Sequence, residues 1–85
     1  MNISSISNEE AKAYFEEHSA FRGGFNLAIA VEEEGKVKGV VAMTADGETF
    51  RKEHIFTDGS AFLGSLLYGA MVRAAMALGY KEVKV

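Results

Sequence analysis

From Glu48 to Val85 the chain reads as strand, turn, helix and strand in succession. Strand-forming residues run to Thr57, Asp58-Gly59 marks a turn, Ser60 to Leu78 is helical and rich in small residues, and Lys81 to Val85 reads as a further strand. That order makes one βαβ unit. A strand that enters a helix through a glycine-containing turn aims N–H groups without intrahelical partners at one point, an arrangement suited to a phosphate. A nucleotide-like cofactor is the first ligand the pattern brings into view.

Ahead of this unit, Ser7 or Asn8 is placed to cap a helix whose first turn holds Glu9 and Glu10, with Ala11, Tyr14, Phe15 and His18 on one face. Gly23-Gly24 ends it. Phe25, Leu27, Ile29 and Val31 alternate with Asn26, Ala28 and Ala30, which predicts a strand with bulky residues on one face and small ones on the other. Glu32 to Gly35 forms a solvated hairpin turn, Lys36 to Thr44 returns as a second strand, and Asp46-Gly47 turns into the third. The expected fold is α+β, in the order αβββαβ, with a mixed sheet and helices packed on it, in one domain over residues 1–85.

Composition narrows the function classes. Nearly half of the 85 residues are apolar, enough for a packed core. The chain has no cysteine and two histidines far apart, so neither a disulfide nor a common structural zinc site is expected. Nine basic and twelve acidic residues are mixed along the sequence without a basic patch, which argues against nucleic acid as a direct ligand. Met1 to Ser7 lacks the charged-then-apolar pattern of a secretory signal, and a cytoplasmic location is expected. Ala61 to Gly79 carries a single charge, Arg73, and approaches the roughly 20 residues of a membrane span. Its glycines, its alanines and Arg73 itself favour a helix buried on a sheet.

Within that helix Leu63, Leu66, Leu67, Ala70, Met71, Ala74 and Leu78 make a core-facing stripe. Tyr68, Val72 and Met76 form a second apolar row on another side, which a chain of this size has little left to cover. Together with an open edge on the last strand, this row points to a homo-oligomer or a protein partner.

The stretch ETFRKEHIFTDGSAFLGSLLYGAMVRAAMALGYKEVKV, preceded by IAVEEEGKVKGVV, resembles the cofactor-binding half of the GNAT superfamily of N-acetyltransferases. The T-D-G turn with S-x-L-Y-G-A and A-L-G-Y resembles most a small phage- and prophage-associated branch. The resemblance implies acetyl-CoA as cofactor, its pantetheine arm along Ile55, Phe56 and Thr57, and its phosphates at the turn formed by Gly59, Ser60, Gly64 and Ser65. The superfamily motif, Gln or Arg, two residues, Gly, one residue, then Gly or Ala, falls here on Gly59, Phe62 and Gly64, so only its last position is kept. The helix and two strands with which longer members continue, and which carry acceptor contacts, have no counterpart in these residues.

Acetyl transfer needs a base and oxyanion donors. Glu53 and His54 are the catalytic candidates on the cofactor-side strand. Alternation puts Glu53 with Arg51 and Ile55, and His54 with Phe50, Lys52 and Phe56, so the two are expected on opposite faces and not as one pair. Structural roles stay open for both: an ion pair of Glu53 with Arg51, and a hydrogen-bonded His54 among aromatic rings. Two functions follow from the sequence, a minimal acetyl-CoA-binding domain or a non-catalytic interaction scaffold without cofactor.

Overall fold

The structure, a computed structural model, describes residues 1–85. The elements run β1 (Asn2–Ser5), α1 (Asn8–His18), β2 (Leu27–Glu33), β3 (Lys36–Asp46), β4 (Thr49–Thr57) and α2 (Ala61–Ala77). The four strands form one sheet in the order β1-β2-β3-β4, and every neighbouring pair is antiparallel.

The large-and-small alternation of β2 sets the layering. Ile29, Val31, Val41, Met43 and Phe50 face α2, whose Leu63, Leu67, Ala70, Met71 and Ala75 complete a buried cluster. Ala28, Ala30, Val40 and Ala42 face the other way, and the depth their short side chains leave is filled by Tyr14 and Phe15 of α1, with Phe21 and Phe25 beside them. A helix therefore covers each face, and side-chain volume decides which. Burial of these apolar groups, at roughly 25 cal/mol per Å², is the main stabilising term.

Local chemistry fixes the ends of the elements. The Glu10 N–H donates to Ser7 Oγ at 3.1 Å, which satisfies one orphan donor at the start of α1, and the Ser7 hydroxyl in turn donates to Glu10 Oε1 at 3.1 Å. Gly39 is buried where α2 crosses the sheet: a methyl there would lie 2.9 Å from Thr57 Cγ2 and 3.0 Å from Leu67 Cδ1, so this glycine allows the close approach.

The structure corrects the expected fold in three respects. The sheet is antiparallel and not mixed, because the strand expected over Lys81 to Val85 contributes only one parallel bridge, Arg51 to Lys84. Its two hydrogen bonds, Lys84 N–H to Phe50 O and Lys52 N–H to Lys84 O, are both 2.8 Å. A strand, β1, precedes the first helix, so the order αβββαβ becomes βαβββα. Leu78, placed in the core-facing stripe, is 59% exposed, because the helix ends at Ala77 and Ala75 takes the inward position. Of the second row on α2, Tyr68 and Met76 are exposed and Val72 is half-buried. No helix is long and apolar enough to cross a membrane.

At the β2–β3 turn both Glu34 (φ 52°) and Gly35 (φ 78°) lie in the left-handed region, a conformation that favours Asn-Gly. Glu34 is exposed and holds it against its steric preference. Glu34→Asn is expected to raise the unfolding free energy by roughly 0.5 to 1 kcal/mol, read from the urea midpoint at unchanged slope.

Candidate functional site

The sequence points to the end of β4 and the start of α2. β4 is an edge strand whose residues 51 to 57 are all half-buried. The Asp58 N–H donates to Lys38 O at 2.7 Å, so by alternation the main-chain groups of Phe56 face β3, and those of Ile55 and Thr57 face outward. Lys84 covers the outer edge only near its start, and beyond Lys52 it is unpaired.

The turn that follows presents free donors. Gly59 adopts φ 92°, its N–H donates to Thr57 O at 3.1 Å, and the chain enters α2 at Ser60. The Ser60 side chain makes no capping bond, and the N–H groups of Ser60, Ala61 and Phe62 have no acceptor in the protein. Gly64 stands in open space, where an added methyl would meet nothing within 4 Å. Ser65 is exposed one residue on. Asp58 puts a carboxylate beside these donors, and Lys38 Nζ lies 3.8 Å from it. Three surface cavities of the molecule are lined by other residues.

The side chains of the expected pantetheine path diverge. Ile55 packs toward α2 in the larger cluster, whereas Phe56 faces α1, with its ring 6.1 Å from Tyr14 and 5.9 Å from His18. The Thr57 hydroxyl donates to Ser60 O at 3.5 Å. The main chain, and not these side chains, is what faces outward.

A bulge re-aims the two catalytic candidates. Ala42 pairs with His54 but Met43 pairs with Lys52, so Glu53 is an extra residue in β4 and the alternation slips by one. Glu53 then shares its surroundings with Arg51 but not with Ile55: its carboxylate accepts from Thr44 Oγ1 at 2.6 Å and from Arg51 Nη2 at 3.4 Å. His54 shares a face with Phe56 but not with Phe50 or Lys52. Its ring lies flat on Phe21, centroids 4.6 Å apart and 4° between planes, with Phe15 edge-on at 5.2 Å. Its Nε2 is buried without a partner. No hydrogen bond joins Glu53 to His54, so they form no acid–base pair. Burial, aided by the charge of Lys52, holds the His54 pKa below its ordinary 6.5.

Two further groups lie beside the site without a sequence signal. Lys38 reaches Asp58 from the residue that bulges out of β3 where Val31 pairs with Gly39 and Glu32 with Val37. The Tyr14 hydroxyl is buried without a partner, and burial together with the charge of Asp58 raises its pKa above 10.0. No group of three or more His, Asp or Glu side chains is placed to hold a metal ion.

No protein family matches the chain, and neither a curated protein nor a solved structure matches it. The resemblance to N-acetyltransferases rests on the residues of this chain alone.

Between pH 6.5 and the lower value of the folded state, the unfolded chain holds a proton on His54 that the folded chain does not. Stability contributed by neutral His54 is therefore fully present above 6.5 and is lost as the pH falls through the folded value. His54→Phe keeps an aromatic ring and removes the titration. Urea midpoints compared at about pH 7.5 and pH 5 are expected to differ less in this variant than in the parent.

Proposed function

We propose that the chain is a minimal GNAT-like domain that binds acetyl-CoA, or another thioester of coenzyme A, along the open edge of β4 and the start of α2. Gly64 carries this reading. A glycine inside a helix costs about 0.5 to 1 kcal/mol relative to alanine, and the space around Gly64 holds nothing that a side chain would displace. Packing gives no reason for it, whereas close approach of a ligand does. The outward main chain of Ile55 and Thr57 supplies partners for an amide-bearing arm, and the unpaired N–H groups of Ser60, Ala61 and Phe62 supply donors to a pyrophosphate.

The reading is one of binding. Glu53 is held by Thr44 and Arg51, and His54 is enclosed by aromatic rings, so proton removal from an amine has no free base among the candidates. A cytoplasmic location fits a ligand of this kind. A second reading, a cofactor-free interaction scaffold, is favoured by one observation: Phe62 is 62% and Met76 69% exposed on α2, with Tyr68 between them.

Calorimetric titration of acetyl-CoA into the protein separates the two. Saturable binding at micromolar concentration is expected, with amide shifts confined to Ile55, Thr57 and residues 59–65. Gly64→Val is expected to weaken it at least about tenfold without changing the circular dichroism spectrum. Gly64→Ala should raise stability by up to about 1 kcal/mol. Absence of binding at millimolar coenzyme, or a Gly64→Val variant that binds as the parent does, would overturn the coenzyme reading.

A further inference from the structure

The sheet has two edges, and they are protected very differently. The outer edge of β4 carries Arg51, Lys52 and Glu53, is interrupted by the bulge at Glu53, and is partly covered by Lys84. Charges, bulges and covering segments are the usual devices that keep a strand edge from pairing with another chain. β1 has none of these three, and only its length of four residues limits pairing. Asn2 to Ser7 carries no charged side chain, pairing of β1 with β2 is regular, and nothing lies on its outer side.

The geometry of β1 is also self-complementary. The Ile6 N–H donates to Ala28 O at 3.1 Å, so by alternation the main-chain groups of Ser4 and Asn2 face β2, and those of Ile3 and Ser5 face outward. A two-fold axis through Ser4, perpendicular to the sheet, sets Ile3 of one copy opposite Ser5 of the other and the reverse. Each such pair can exchange both of its main-chain hydrogen bonds. The same axis puts α2 of both copies on one side of a continuous sheet.

On that side lies an apolar groove of about 540 Å³, lined by Ile3, Leu27, Ile29, Met43, Ala74 and Leu78 among others, with Arg73 as its only charged residue. It exists because α2 packs over β2, β3 and β4 and leaves β1 uncovered. Ile3 is half-buried at its floor. Edge pairing through β1 would bring the two grooves side by side and cover their open flanks.

We propose that the protein forms a two-fold symmetric dimer by antiparallel pairing of β1 with β1 of a second copy, centred on Ser4. This does not depend on the coenzyme reading, since β1 lies at the opposite edge from β4. Sedimentation equilibrium at concentrations up to about 1 mM, the weak end of specific association, is expected to show a species of twice the 9.2 kDa chain mass. Ser5→Pro removes one outward N–H, which no group in the monomer accepts, and is expected to give a monomer with an unchanged circular dichroism spectrum. In the parent, hydrogen-exchange protection of the Ile3 and Ser5 amides should rise with protein concentration, a readout that does not require the variant to fold. A monomer throughout the range, or a dimer in which those two amides gain no protection, would overturn the proposal.

Discussion

Side-chain volume on the two faces of the β2–β3 hairpin governs how this protein is assembled. Large residues on one face, Ile29, Val31, Val41 and Met43, meet a helix of small and medium residues, and the Gly39 notch lets that helix come close. Alanines on the other face leave a deeper gap, which suits the short, aromatic-bearing α1. Exchanging the two helices would leave voids beneath one and overlap beneath the other, and packed interiors tolerate neither. α2 is committed to one face in this way, and its start has to emerge at the end of β4, where the free donors lie.

The bulge at Glu53 has the next largest consequence. One inserted residue separates β4 into a part whose inward side chain, Phe50, serves the α2 core and a part whose His54 and Phe56 serve the α1 core. A single edge strand thereby contributes aromatic groups to both layers, which an unbroken alternation could not do. The exchange leaves an imidazole whose Nε2 has no hydrogen-bond partner among phenylalanine rings, surroundings that favour its neutral form.

Much of this was legible in the residues. α1, the β2–β3 hairpin, β4 and α2 announce themselves through periodicity, capping at Ser7 and glycine at the turns, and the grouping of Ile55 to Ser65 at one end of the sheet follows from chain order alone. β1 did not, because Asn2–Ser5 has one apolar side chain and no alternation, so its strand character comes from pairing with β2. The faces of Glu53 and His54 were misread for a related reason. A bulge arises from how two strands fit together, and period-two reasoning along one strand carries no trace of it. The last strand failed in the opposite sense: Lys81 to Val85 has strand-like composition, but only Lys84 finds partners in β4.

That single bridge sets how much of the β4 edge is covered. Joining Lys84 to β4 closes a long loop around the whole of α2, and the closure entropy is offset by two hydrogen bonds, each worth about 0.5 to 1.5 kcal/mol net, and by partial burial of Tyr80 and Val83. The meander and the helix keep their own buried contacts, so the tail joins the structure at the low end of its range of local stability. In place, it occupies the outward main-chain groups of Phe50 and Lys52 and leaves those of Ile55 and Thr57 open. The length of open β4 edge is therefore set by how far the tail runs along it, and a tail paired through Lys84 alone leaves the strand uncovered beyond Lys52.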